Sequence, residues 1–554
     1  MPRSGLLLLA ALLALLAASP ARADGTGQVS LRILAINDFH GNLKPPPGGI
    51  RIKDSDDPTK NRIVPAGGAE QMATLVKQLR EGHKNTIFVA AGDLIGASPL
   101  LSAMFHDEPT IESLSMMRLA LSSVGNHEFD EGKDELLRMQ NGGCHPTDGC
   151  RGPHPFPGAK FHYLAASTIV KDTGKTVFPP YEIESFDGIP VAFIGLTLKG
   201  TAGIISPASS AGLEFHDEAA TVNALVPELK ARGVEAIVVL IHEGGYPTGG
   251  INDCPGISGP IVDIVGKLDR AVDLVISGHT HQAYVCTIDG RLVTSGDKYG
   301  TLVTAIDVTL DLATRDVVSA KADNVVVRTS LAKDSEQTAL IDAYDKVARP
   351  IAERRAGEIT ETLSRTPNAS GESALGDVVA DAQLAATSDA ATGGAVIALT
   401  NPGGIRTDLI RRPDGSVTYA DVFASQPFRN QLVTLTLTGA QLKATLEQQW
   451  ADPARPRVLQ VSKGFTYAFD ASKAAGARID ASSLKLNGTA IDPALSYRIT
   501  VNNYLALGGD GFTALKDGTA LQFGKYDDEA LFAYVKVSSP VAPPPQDRII
   551  ATTH

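Results

Sequence analysis

Five short clusters in this chain combine side chains able to bind a cation and move a proton. They are Asn37-Asp38-Phe39-His40, Gly92-Asp93, Gly125-Asn126-His127-Glu128-Phe129-Asp130, His242-Glu243 and Gly278-His279-Thr280-His281. Asp, Asn and His offer oxygen or nitrogen lone pairs to a divalent ion, and His also exchanges a proton near neutral pH. Asp38 and His40 are two residues apart, as are His279 and His281. At the mouth of a strand, that spacing can aim both side chains at one ion. Asp93 stands alone, but its two carboxylate oxygens can each face a different ion. Each cluster also has a plainer reading. Asp93 could cap a helix, the first cluster is made of ordinary turn residues, and a lone His242 would more often be a hydrogen-bonding residue. The recurrence of such clusters argues for metal chemistry.

Each cluster follows an apolar run, at residues 31–36, 86–91, 121–124, 234–241 and 272–276. The fourth run is almost continuously aliphatic, as expected of a strand covered on both faces. Between the runs lie stretches of helical period, such as 67–80 with Met72, Leu75, Val76 and Leu79, and 218–232. Polar groups at the carboxyl ends of buried strands are the usual place for a site in an α/β fold. The amino-terminal half is therefore predicted to be an α/β sandwich.

Residues 336–358 carry Leu340, Ile341, Tyr344, Val347 and Ile351 on one helical face. This predicts a helix between the metal clusters and everything later, kinked or interrupted at Pro350. Beyond it stand Asn401-Pro402-Gly403-Gly404-Ile405-Arg406, Pro427-Phe428-Arg429-Asn430 and a segment running from Tyr504 through Gly508-Gly509-Asp510-Gly511-Phe512. Phe428 and Tyr504 could stack on a flat ring, Asp510 could accept from sugar hydroxyls, and Arg406 could grip a carboxylate or phosphate. The plainer reading is core aromatics and a glycine turn.

The 554 residues exceed one ordinary domain. Residues 6–18 are apolar and are followed by Ala21-Arg22-Ala23, a signal-peptidase pattern with cleavage expected after Ala23. Removing Arg3 and Arg22, with no acid, takes the formal charge from −12 to −14. That acidity argues against a nucleic-acid polymer as partner. No later apolar run reaches the length of about twenty residues that spans a bilayer. An exported, periplasmic or secreted protein without a stable membrane anchor is expected. Four cysteines in such a chain suggest two disulfides, with three possible pairings. Cys144 and Cys150 enclose a short His/Pro/Gly loop, so Cys144–Cys150 with Cys254–Cys286 is the expected set. A zinc site competes, but the spacings form no CxxC pairs.

Taken together and in order, the five clusters resemble the signature of the calcineurin-like metallophosphoesterases. The three carboxyl-terminal clusters resemble the second domain of the bacterial 5′-nucleotidase family, which includes UDP-sugar hydrolases and ecto-5′-nucleotidases. The resemblance covers nearly the whole chain after residue 23. It implies a four-layer α/β/β/α metallophosphoesterase domain over 24–333, an interdomain helix over 334–358, and an α/β nucleoside-binding domain over 359–554. It implies two divalent ions (Zn, Mn, Co or Fe), one on Asp38, His40, Asp93 and His281 and the other on Asp93, Asn126, His242 and His279. A metal-bound hydroxide would attack phosphorus, helped by His127 with Asp130 orienting it. Phe428 and Tyr504 would clamp the base, Asp510 would hold the ribose, and Asn401, Arg406 and Asn430 would complete the pocket, with Arg365 a further arginine.

The implied substrate is a small 5′-nucleotide, with UDP-sugars or nucleoside di- and triphosphates as further substrates, and the expected state is a monomer. Rotation of one domain on the other, hinged near Pro350, would carry substrate to the ions. The rival readings are a 2′,3′-cyclic-nucleotide phosphodiesterase with 3′-nucleotidase activity, and a nucleoside-binding protein with a dead metal site. Asp510 leans toward the 5′ class, and the full ligand set with His127 and Asp130 weighs against a dead site. The sequence departs from the family pattern at two places. His281 stands where hydrolase-branch members often have Gln or Asn, and Ala165-Ala166-Ser167 lacks an expected Asn.

Overall fold

The computed structural model describes residues 27–552 apart from 55, 56, 58, 59 and 454. The leader expected at residues 1–23 lies outside the described residues. Twelve strands of the amino-terminal lobe form two six-stranded sheets. In chain order they are β1 (Gln28–Ile36), β2 (Thr86–Ala90), β3 (Leu121–Ser123), β4 (His162–Leu164), β5 (Tyr181–Phe186), β6 (Ile189–Thr197), β7 (Ala236–His242), β8 (Leu274–Ser277), β9 (Ala283–Ile288), β10 (Arg291–Gly296), β11 (Leu302–Asp311) and β12 (Val317–Val326). The first sheet runs β12-β11-β1-β2-β3-β4 and the second β9-β10-β8-β7-β6-β5.

These strands are apolar on both faces because both faces are covered. In β1, Leu31, Ile33 and Ala35 point between the sheets and meet Val238 and Leu240 of β7 in one core. Leu34 and Ile36 point the other way, onto helix α1 (Ala69–Arg80) with its Met72 and Val76. In β7, Ile237, Val239 and Ile241 face α2 (Glu218–Ala231) and α3 (Pro260–Lys267), meeting Val222, Ile261 and Val265. The period of two thus builds four layers, helix–sheet–sheet–helix. Strands β1 to β4 run parallel, as do β6, β7 and β8. Their carboxyl ends therefore open on one side, and the five polar clusters leave from there.

The connecting helix α4 spans Ser335–Ala352, capped by Asp334, whose side chain accepts from Glu336 N and Gln337 N. It ends six residues earlier than the expected Glu358. Arg355–Glu358 is instead a short strand paired with Ser416–Thr418. Pro350 lies in the last turn, where it removes one late hydrogen bond and does not interrupt the helix. Leu340, Tyr344 and Ala348 of α4 pack on Phe105 of the first lobe. Near its end, Ala352 packs against a cluster in which Leu100 of the first lobe meets Tyr419 and Phe423 of the second.

The second lobe is built on a five-stranded sheet that includes β13 (Ile397–Thr400), β14 (Gln431–Thr438) and β15 (Ser496–Asn502). Its core joins Leu399, Leu435, Val501 and Phe465 to Leu442 and Leu446 of the helix Gly439–Glu447. Both expected disulfides are formed, Cys144–Cys150 and Cys254–Cys286. Among the described residues, no helix is long and apolar enough to cross a membrane.

Candidate metal centre and interlobe cleft

The five loops converge at the carboxyl edges of the two sheets. Asp38, His40, Asp93, His279 and His281 all adopt positive φ, between 46° and 68°. Non-glycine residues rarely adopt this left-handed region, and it concentrates at sites where packing enforces it. The enforcement is visible. Asp38, His40 and Gly41 donate their N–H groups to the carbonyls of Gly92, Asp93 and Leu94, zipping the first loop to the second. Glu128 is buried and accepts from the backbone N–H of Gly125 (2.6 Å), Asp93 (2.9 Å) and Leu94 (2.7 Å). Burial and the neighbouring Asp93 push its pKa up to about 8, while the three N–H donors favour its anion. Gly125 allows the closest approach: a Cβ there would lie 2.2 Å from Asp93 Oδ1.

The resulting geometry brings these side chains into overlapping groups, one of which joins His40 and Asp93 to His127. Ligating atoms of Asp38, His40 and His281 lie within 4.8 Å of one another, and so do those of Asp93, His242 and His279. Asp93 Oδ2 is 2.9 Å from His242 Nε2 and 3.7 Å from His40 Nε2, so it stands between the two groups. Asn126 Oδ1 is 3.2 Å from His242 Nε2.

The tautomers follow from the outer contacts. His40 Nδ1 donates to the Gly96 carbonyl and His242 Nδ1 to the Ala91 carbonyl, both at 2.8 Å, because a carbonyl can only accept. Each Nε2 is then directed inward. His40 Nε2 meets His281 Nε2 at 3.2 Å and Asp38 Oδ1 at 3.9 Å. Burial lowers the pKa of His40, His279 and His281, that of His279 to about 3, which keeps these imidazoles neutral. His242 differs: burial lowers its pKa, but Asp93, Asp38 and the Ala91 carbonyl together outweigh that and raise it to about 10. A proton there takes the position a cation would take. Inward lone pairs packed against carboxylates make a donor set that fits divalent ions.

His127 lies beside this centre. Its backbone N–H donates to Asp93 Oδ1 (2.9 Å) and its Nδ1 lies 2.9 Å from Asp130 Oδ2. Burial pulls its pKa down, but Asp130 and Asp93 prevail and the net shift is upward. Its imidazole stacks on Phe428 of the other lobe, with centroids 5.7 Å apart and planes at 21°.

A cleft of about 350 Å³ lies between the lobes. One wall carries Asn126, His127, Asp130 and His279, and the other Asn401, Arg406, Phe428, Asn430, Tyr504 and Asp510. The Arg406 guanidinium sits 5.7 Å from the Phe428 ring centroid. Asp510 accepts from Asn401 Nδ2 (2.8 Å) and the Tyr504 hydroxyl (3.0 Å). The structure departs from expectation at Arg365. It does not line this cleft; its guanidinium donates to the Ile405 carbonyl at 3.1 Å because the chain turns it behind the Arg406 loop. Ala165, Ala166 and Ser167 are buried away from the cleft, and Ser167 Oγ donates to the Thr197 carbonyl.

Five contributors were not singled out from sequence. Glu128 ties the loops together, and Asn37 donates to Asp38 Oδ2 at 2.7 Å. Ile204 and Ile205 line the first wall, and Arg457 lines the second, donating to the Asp510 carbonyl at 2.9 Å. Glu128 and Asn37 lie inside the clusters, so their burial next to ligands was the available signal. Ile204, Ile205 and Arg457 sit in loops without one.

Two sheets between helices, with Asp, Asn and His converging at their carboxyl edges, define the class of calcineurin-like phosphoesterases. Residues 31–283 match that family, and residues 352–517 match the 5′-nucleotidase C-terminal domain. A cell wall protein of Listeria monocytogenes, Lmo0130, is 31% identical over 92% of this chain and 67% of its own length. The endonuclease YhcR of Bacillus subtilis is 34% identical over 86% of this chain; the chain spans 37% of that protein's length. The crystal structure of a 5′-nucleotidase precursor from Thermus thermophilus superposes with a TM-score of 0.75, at 26% identity, covering 95% of this chain and all of that one. The chain belongs to the 5′-nucleotidase family, joining a calcineurin-like phosphoesterase unit to a 5′-nucleotidase C-terminal unit.

Proposed function

We propose that this chain is a metal-dependent phosphohydrolase that releases phosphate from 5′-nucleotides. The observation that carries the reading is the cleft, which sets the Asp/Asn/His loops against Arg406, two aromatic rings and Asp510. Asp38, His40, Asp93 and His281 would hold one divalent ion, and Asp93, Asn126, His242 and His279 the other. Such a pair supplies Lewis acidity and lowers the pKa of water. The remaining work belongs to side chains. His127, held by Asp130 at Nδ1, presents its Nε2 proton to a phosphoryl or leaving-group oxygen. Arg406 neutralises the phosphate from the opposite side. Phe428 and Tyr504 give the base apolar faces, and Asp510, fixed by Asn401 and Tyr504, accepts from ribose hydroxyls. Asn430 completes the base end.

We place the boundary between the two units within or just after α4, with the leader at residues 1–23 removed. The two disulfides and the cell wall relative support export. We take the chain to act as a monomer on a small nucleotide. A second reading is cleavage of a phosphodiester such as a 2′,3′-cyclic nucleotide, supported by the relative named an endonuclease.

Product analysis with AMP, UDP-glucose and 2′,3′-cyclic AMP, following free phosphate from AMP, UMP from UDP-glucose and the ring-opened monophosphate from the cyclic ester, with and without chelator, tests both. Release from AMP that stops with chelator and returns with Zn, Mn, Fe or Co is the expected result. Cleavage of the cyclic substrate alone would favour the second reading, and no hydrolysis product from any substrate with any ion would overturn both.

A further inference from the structure

Asp107 is a buried carboxylate at the edge of the cleft, 7% exposed, beside Gly96. It stands at the N-cap of the helix Glu108–Met116, where an aspartate ordinarily accepts from the N–H groups of the first turn. Its side chain makes no such bond. The carboxylate turns away from the helix instead. Its Oδ2 accepts from Gly96 N–H at 3.0 Å, and its Oδ1 accepts from the Ser102 hydroxyl, which lies 2.6 Å from Thr110 Oγ1. Ser102 and Thr110 are fully buried, so the anchor is rigid. On the two-ion reading of the centre, we propose that Asp107 is a positioning residue, acting through Gly96 on the metal ligand His40.

Gly96 makes the link because both of its peptide groups are engaged. Its N–H goes to Asp107, and its carbonyl accepts from His40 Nδ1 at 2.8 Å. The second bond keeps the proton on Nδ1 and turns the Nε2 lone pair inward, toward Asp38 and His281. Apart from His40, only the Ser98 hydroxyl approaches this carbonyl among the described residues, at 3.4 Å. Gly96 is also pressed against the proton-transfer pair: a Cβ there would lie 2.5 Å from the His127 carbonyl oxygen and 2.8 Å from Asp130 Oδ2. Residue 96 must therefore be glycine, at φ 79°, and a glycine restrains its own backbone least. The restraint has to come from a neighbour, and Asp107 supplies it.

The turn that carries Asp107 is itself strained. His106 and Asp107 are both left-handed, at φ 52° and 63°. Consecutive non-glycine residues persist in that region only where the surroundings enforce it. Here His106 N–H donates to the Ala103 carbonyl and Asp107 N–H to the Ser102 carbonyl. The His106 ring is held between Glu131 Oε2 (2.7 Å) and Asp148 Oδ2 (3.1 Å). The turn so fixed delivers the carboxylate to Gly96, and a relaxed turn would withdraw it.

The test is the zinc affinity of the full chain, measured by competition with a zinc-binding indicator, in wild type, Asp107→Gly and Asp107→Asn. Glycine adopts a positive φ freely and removes the carboxylate. Asparagine also tolerates this region and keeps an oxygen that can accept from Gly96 N–H. Wild type should take up a pair of zinc ions. In Asp107→Gly one of the pair should bind about 10- to 100-fold more weakly, the usual loss when the outer partner of a metal-binding histidine is disturbed. The other ion should be unaffected, and Asp107→Asn should restore most of the affinity. Added to His40→Gln, Asp107→Gly should weaken zinc no further, because both act on one ligand. A pair bound as tightly in Asp107→Gly as in wild type would overturn the proposal alone. So would a loss shared equally by both ions, or one that asparagine does not restore, either of which makes Asp107 a general support of the loop. Wild type that takes up no pair of ions would overturn the functional reading and the proposal with it. Should Asp107→Gly not fold, Asp107→Ser, whose hydroxyl is too short to reach Gly96, carries the same comparison with the same outcomes.

Discussion

The two walls of the cleft differ in how their polar groups are held. Directly behind the first wall, Asp38, His40, Asp93 and His242 are buried, the first two loops are cross-bonded backbone to backbone, and Asp38, His40, Asp93, His279 and His281 are all left-handed. On the second wall, Arg406, Phe428, Tyr504 and Asp510 are half-buried and Arg457 is exposed. The first wall is thus preorganised for charge, which favours chemistry. The second can adjust its side chains, which suits the binding of a group that arrives and leaves. Substitutions on the first wall should then change turnover in large steps, and those on the second should change KM by smaller ones.

Asp93→Asn should have the largest effect. It removes the carboxylate standing between the two ligand groups, and turnover should fall by at least about 10³-fold, since ion stabilisation is worth several kcal/mol. Metal content measured alongside should fall too; retained metal with full turnover would break the comparison at its centre. His127→Ala should cost about 10²–10⁴-fold in turnover while leaving metal content unchanged, as expected of a proton donor.

The pH profile sharpens the same point. In the proposed mechanism His127 donates in its protonated form, so kcat/KM should fall as pH rises through its pKa. Asp130 is among the groups raising that pKa above the ordinary 6.5. Asp130→Asn should therefore move the alkaline limb to lower pH, and an unmoved limb would detach Asp130 from His127.

The difference between the walls also explains what could be read from the sequence. Metal ligation admits few residue types and places them at strand ends, so Asp38, His40, Asp93, Asn126, His242, His279 and His281 stood out and are brought together. The alternating apolar strands made the four-layer packing legible for the same reason: burial on both faces leaves little choice. Support is harder to read. Glu128 stands outside the ligand groups, yet it holds three backbone N–H groups, a task that any well-placed buried acceptor could do. The end of α4 was misread because Arg354 and Arg355 carry no stop signal, while pairing with Ser416–Thr418 draws Arg355–Glu358 into a strand. Arg365 was misplaced because an arginine near a binding loop can as easily brace it, here through the Ile405 carbonyl.

On the second wall, Phe428→Ala should raise KM for AMP about 10- to 100-fold, given that stacking is worth about 1–3 kcal/mol per base. Metal content should not change. Because the ring also stacks on His127, Phe428→Tyr serves as the control: it keeps the ring and should restore most of the affinity. A loss confined to kcat in Phe428→Ala would mean the ring acts through His127 and not through the base.

Arg457 offers the finest division of the two walls. It donates to the Asp510 carbonyl at 2.9 Å and lies 3.4 Å from Asp510 Oδ1, but its side chain is 48% exposed. An exposed pair of this kind is worth up to about 1 kcal/mol, so Arg457→Ala should raise KM by no more than about fivefold and leave kcat alone. The effect should shrink as salt rises, because screening already weakens the pair in wild type. Asp510→Asn should remove the salt-dependent part of the arginine's effect, since the double variant has no charge left to position, while the bond to the backbone carbonyl of residue 510 keeps a small remainder. If Arg457→Ala instead lowered kcat with KM unchanged, the second wall would be taking part in the chemistry, and the division between a rigid reacting wall and an adjustable binding wall would fail at the residue where it is most exposed to test.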